Sequence, residues 1–113
     1  MPEDLNAKTC VACRAGMPML SNAKSTEMMS QLNPDWTMVD QGRKLKRTVV
    51  VKGFNAAHHC ANLAAYLGDQ QGHHPDISFG WNYCDVIFTT HVMRGLTEND
   101  FICAARFDAL VEG

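Results

Sequence analysis

The chain has 113 residues, 46 % of them apolar and 19 % charged, with a formal net charge of −2. That is enough for one domain around one core, and far too apolar for a disordered chain. There is no basic excess of the kind that displaces counterions from nucleic-acid phosphates, and no apolar run is long enough to cross a membrane.

Residues 1–20 form an irregular N-terminal segment, with Gly16 and Pro18 breaking any periodic pattern, and a single domain is expected over residues 21–113. Ser21 can cap a helix running to about Leu32, which Asn33-Pro34-Asp35 stops, because proline disfavours helical backbone in the residue before it. Trp36 to Val39 reads as a short strand, Gln41-Gly42 as a turn, and Lys44 to Lys52 as a longer strand rich in β-branched residues. The basic cluster in it, Arg43 to Arg47, reads as a solvated strand face. Asn55 can cap a second helix to about Asp69, whose Ala57, Cys60, Ala61, Leu63, Ala64 and Leu67 recur on one face. Gly72 to Gly80 reads as a loop. Asn82 to Thr90 is a third strand, with Cys84, Val86 and Phe88 facing one way and Tyr83, Asp85 and Ile87 the other. Thr97 opens a last helix to about Leu110.

The order is therefore α-β-β-α-β-α. Adjacent strands joined by a tight turn make an antiparallel pair, so the fold class is α+β, a small antiparallel sheet with helices packed on one face. Val49, Val51, Ile87 and Trp36 cannot all lie under three helices, which predicts an apolar outer face buried in an oligomer.

The feature that composition does not explain is His73-His74-Pro75, with His91 at the end of the third strand. Imidazoles exchange protons near neutral pH, and a loop held by a rigid scaffold is a usual place for such chemistry. Three of them suit a reaction that needs a proton donor and a proton acceptor together. Solvated histidines in a turn would give the same spacing.

The spacing around them is more specific. Asp69, three residues, His73-His74-Pro75, five residues, Trp81, nine residues, His91, eight residues, Asp100 resembles the signature of the pterin-4a-carbinolamine dehydratases. Trp36, Phe54-Asn55 with Ala57, Thr90 and Gly95-Leu96-Thr97 extend the resemblance over roughly residues 20–110. It implies dehydration of 4a-hydroxytetrahydrobiopterin to quinonoid dihydrobiopterin, a step in tetrahydrobiopterin recycling that needs no metal or redox cofactor. It also implies a pterin substrate, a homodimer or homotetramer, and a place in the pathway of an aromatic amino-acid hydroxylase. On this analogy His73 and His91 serve the leaving hydroxyl, while His74 binds the pterin and can act as base at N5. The alternative on the same fold is a non-catalytic dimerisation cofactor or assembly factor.

Among the neighbours, Asp69 can orient a site imidazole. Asp100 falls in a helix-start pattern, Thr97-Glu98-Asn99-Asp100, and can cap the backbone of Thr97, line the pocket, or both. Trp81 can wall a flat pterin as readily as it can pack elsewhere, whereas Trp36 reads as core. His58-His59, inside the second helix, point about 100° apart and read as packing or contact residues. Cys10 and Cys13 are a lone CxxC pair, short of the four ligands of a structural zinc. Cys60, Cys84 and Cys103 read as core. An odd count of five cysteines and an acidic start, Met1-Pro2-Glu3-Asp4, fit a reducing cytoplasm.

Overall fold

The computed structural model describes residues 5–10 and 19–112. Ser21 caps the first helix as its residue type requires, its Oγ accepting from the Lys24 N–H at 3.1 Å, and α1 runs Asn22–Met29. Strands β1 (Thr37–Val39) and β2 (Lys44–Val50) follow, joined by a turn in which Asp40, Gln41 and Gly42 all have positive φ. Helix α2 spans Phe54–Gln71. Its N-cap is Gly53 rather than Asn55, so the helix begins one residue before the expected cap. The stretch read as a loop contains a further strand, β3 (Asp76–Gly80), which makes a hairpin with β4 (Tyr83–Phe88). Helix α3, Glu98–Glu112, ends the fold.

The four strands lie in the order β1-β2-β4-β3, every neighbouring pair antiparallel. The fold is thus α+β with a small antiparallel sheet, carrying one strand more than the sequence pattern suggested. β3 escapes notice because it is a five-residue edge strand between Pro75 and a turn.

Side-chain alternation decides which sheet face the helices cover. Leu45 and Val49 of β2, and Cys84, Val86 and Phe88 of β4, all point inward and are buried. They meet Leu67 from α2 and Phe101 and Phe107 from α3, each aromatic contributing about 1.5–3 kcal/mol on burial. Trp36 is 2 % exposed and packs against Phe88 and Phe107, with ring centroids 6.1 and 6.2 Å away. Val49 and Trp36 therefore belong to the core and not to an outer apolar face. The exposed apolar residue of β2 is Val50, at 82 %.

Arg47 also departs from expectation. It takes an inward position on β2 and is buried, so the basic cluster is not a solvated face throughout. Asp108 of α3 answers it: Oδ1 accepts from the Arg47 guanidinium and from Trp36 Nε1 at 2.8 Å, and Oδ2 accepts from the Asn33 N–H at 2.8 Å. One carboxylate thereby ties the end of α1, the start of β1, β2 and α3 together.

Candidate active site

Helix α2 ends where glycine lets it end. Gly72 adopts the left-handed conformation (φ 66°), and the N–H of His73 turns back to the Gly68 carbonyl at 3.1 Å. The chain then doubles over α2, and Gly68 makes the close approach feasible. A Cβ there would stand 2.6 Å from Pro75 Cδ and 3.3 Å from His74 Cα. The His73-His74-Pro75 segment is thus held on the helix before it enters β3.

On the other side of the hairpin, β4 leads into Thr89, Thr90 and a 3₁₀ turn, His91–Met93. The Thr90 N–H donates to Gly95 O at 3.1 Å, and Arg94 N–H to His91 O at 3.1 Å, which fixes the turn that carries His91. These two segments enclose a cavity of about 380 Å³ lined by His73, His74, Pro75, Asp76, Thr89 and His91, with Gly72 and Val92 at its margin. All three histidines of the sequence reading share this one wall.

They are not equivalent. His73 is buried, stacked on Phe88 with an interplanar angle of 11°, and its Nε2 lies 2.6 Å from Asp100 Oδ1. A carboxylate oxygen only accepts, so Nε2 carries the hydrogen. Asp100 is itself fully buried. Its Oδ2 accepts from the Thr97 N–H at 3.0 Å and from Thr90 Oγ1 at 2.8 Å. Thr90 has one hydroxyl hydrogen, given to Asp100, so Thr97 donates across the 2.9 Å Oγ1–Oγ1 contact. Capping and orienting thus fall to the same aspartate, one oxygen each. Burial pulls the His73 pKa down. The hydrogen bond and charge of Asp100, with a smaller contribution from Cys10, outweigh it and leave His73 above the usual histidine value.

His74 and His91 are solvent-exposed, and each faces its own acid. His74 Nε2 is 3.1 Å from Asp69 Oδ1, and His91 Nε2 is 4.0 Å from Asp76 Oδ2. Asp69 therefore supports His74. Asp76 lies at the start of β3, the strand that the sequence pattern shows only as loop, and its residue type alone does not mark it as part of the site. The signal for it was its place directly after His-His-Pro.

Other expected residues fall elsewhere. Trp81 is 70 % exposed in the β3–β4 turn, at the hairpin end opposite Asp76, and does not line the cavity. Thr90 sits behind the wall and acts through Asp100, while its neighbour Thr89 lines the cavity. His58 and His59 are exposed on α2, His58 against the Phe79 ring at 5.5 Å. Cys60 and Cys84 are buried in the core. Cys13 lies outside the described residues. Cys10 instead meets Cys103 of α3, with 3.3 Å between sulfurs. The hydrogen bond from Cys103 sets the Cys10 thiol below the usual value, and Cys103 is held above it. Among the described residues no three His, Cys, Asp or Glu side chains are grouped to hold a metal ion, and no helix is long and apolar enough to cross a membrane.

Comparison with known proteins points one way. Residues 18–110 match the family model described as pterin 4 alpha carbinolamine dehydratase. A protein of Legionella pneumophila (strain Lens) with the provisional description pterin-4-alpha-carbinolamine dehydratase is 38 % identical over 111 residues, 98 % of each chain. One of Methylococcus capsulatus with the same description is 42 % identical over 106 residues, 94 % of this chain and 92 % of its own. Among solved structures, a transcriptional coactivator/pterin dehydratase of Brucella melitensis superposes with a TM-score of 0.75 at 28 % identity, covering 82 % of this chain and 98 % of its own.

Proposed function

Since the chain belongs to the pterin 4 alpha carbinolamine dehydratase family, we propose that its histidine cavity dehydrates 4a-hydroxytetrahydrobiopterin, or a close pterin analogue, to the quinonoid dihydropterin. The observation that carries this reading is the convergence of His73, His74 and His91 on one cavity, each with a carboxylate beside it. In the reaction the N5 proton leaves to a base, the N5–C4a double bond forms, and the C4a–O bond breaks. The oxygen gains a proton and departs as water. Hydroxide is a poor leaving group, so acid and base must act on one face of a small ring system, where positioned groups contribute about 10²–10⁴-fold each.

The two exposed imidazoles suit the mobile proton work. His74, backed by Asp69, takes the N5 proton. His91, beside Asp76, delivers a proton to the 4a-oxygen. His73 is held rigidly by Asp100 and Phe88, and the Asp100 carboxylate favours its charged form in the wall where the oxygen leaves. Pro75 and Thr89 line the same cavity.

The test is the decay of freshly formed carbinolamine, followed optically with and without protein. Wild type is expected to accelerate it, and His74→Ala and His91→Ala to lose about a hundredfold or more of that acceleration. Equal inactivity of wild type and His74→Ala would refute the reading. We also read the chain as a homodimer or homotetramer, with the sheet face bearing Val50 as the candidate contact. A protein-binding role beside catalysis is supported by the coactivator description of the Brucella structure.

A further inference from the structure

A second basin of about 230 Å³ adjoins the histidine cavity and shares Thr89 and His91 with it. Its remaining wall is Asp40, Arg43, Lys44 and Arg94. We propose that this basin seats a phosphate monoester on the substrate's side chain, so that the preferred substrate is a phosphorylated pterin rather than a neutral polyol pterin. The proposal rests on the pterin reading of the adjacent cavity.

Charge is the first argument. Three cations, Arg43, Lys44 and Arg94, face one carboxylate, Asp40, which leaves two positive charges uncompensated in the wall. A phosphate monoester carries about −1.5 to −2 at neutral pH and matches that excess. The chain as a whole is acidic, with a formal net charge of −2, so this concentration of cations is not a reflection of composition.

The availability of the donors is the second. Arg43 is partly engaged: its Nε donates to the Asp40 carbonyl at 3.1 Å and one terminal nitrogen to Asp40 Oδ1 at 3.0 Å. That pairing sets the guanidinium in place. The side chains of Lys44 and Arg94 make no hydrogen bond or ion pair among the described residues. One positioned guanidinium beside two cationic side chains that have no partner among the described residues describes a site waiting for an anion.

Backbone placement is the third. Arg94 has φ 52° and ψ 42°, the left-handed region, and is held there by its N–H bond to His91 O. A side chain is disfavoured at such a position, where glycine is the undemanding choice. The other rim is tied to the site as well, because the Thr89 hydroxyl donates to the Arg43 carbonyl at 2.7 Å. Both walls of the basin are thus fastened to the strand end that carries His91. A ligand whose ring fills the histidine cavity can extend its side chain over Thr89 into the cations.

The test is calorimetric titration of the full chain with a 7,8-dihydropterin bearing a polyol side chain, with and without a terminal phosphate monoester. The phosphorylated compound is expected to bind about tenfold more tightly at low salt, with the ratio shrinking at high salt as the exposed charges are screened. In the double variant Arg94→Gly, Lys44→Gln the ratio should fall to about one. Glycine suits the backbone at 94, so folding is preserved there. Lys52→Gln, a cation outside the basin, should keep the wild-type ratio. Equal affinity of the two compounds for wild type, or an equal loss of the ratio in Lys52→Gln, overturns the basin and leaves the pterin reading intact. Failure of both compounds to bind overturns the pterin reading, and the basin proposal with it.

Discussion

Two aspartates eight residues apart on α3, Asp100 and Asp108, are built alike and serve different ends. Both are buried, and each has one oxygen facing a buried basic side chain and the other accepting from a backbone N–H. Asp108 faces arginine, whose charge is permanent, and closes a junction of α1, β1, β2 and α3; neither it nor Arg47 lines the histidine cavity. Asp100 faces histidine, whose charge is not permanent, and that histidine lines the cavity. The same residue on the same helix thus becomes scaffold or site according to whether its partner can titrate and reach solvent-filled space.

Breaking the scaffold member should have the largest effect. Asp108→Ala leaves the buried Arg47 only the half-exposed Glu112, 3.9 Å away, and is expected to destabilise the fold by about 3–5 kcal/mol, read from denaturant unfolding. Asp100→Ala should cost less, about 1.5–3 kcal/mol, because His73, unlike Arg47, can release its proton and stay buried as a neutral ring. Gly68→Ala sharpens the comparison from a third direction. The added methyl meets the Pro75 ring and the His74 backbone, so about 1–3 kcal/mol of stability should be lost, and the cross-peaks of His73 and His74 should shift in an NMR spectrum while those around Trp36 stay in place.

A smaller, pH-dependent effect separates the two pairs cleanly. The folded-state pKa of His73 lies above its unfolded value of about 6.5. Its contribution to stability is therefore fully present below that unfolded value and is lost as pH rises through the folded one. Unfolding free energies of wild type and His73→Gln, measured across that range, should differ most at the acid end and converge in part as pH rises. The difference between wild type and Asp108→Ala should show no such trend, since Arg47 keeps its charge throughout.

The sequence was most legible where a local rule acts alone. The Ser21 cap, the alternating face of Cys84, Val86 and Phe88, and the apolar stripe of α2 follow from period and residue type, and the structure repeats them except at Leu63, which is only half-buried. It was least legible where long-range contact decides. Arg47 reads as a surface residue until Asp108, sixty-one positions away, is brought to it. β3 is too short to declare itself without β4 beside it, and with it Asp76 was missed. Gly68 looks like one helical glycine among others until Pro75 folds over it. For the site, spacing selected the three histidines, but their unequal burial was not visible. Nor did spacing show that Trp81 stands at the far end of the hairpin.

The division between site and scaffold is tested most directly by one side-by-side rate measurement. Carbinolamine dehydration per folded molecule would be compared in Asp100→Asn and Asp108→Asn, each held below its own unfolding midpoint. Asp100→Asn is expected to lose about tenfold or more, the equivalent of one charge-assisted hydrogen bond to His73, while Asp108→Asn stays within about twofold of wild type. An undiminished rate in Asp100→Asn, or an equal fall in both variants, would contradict it.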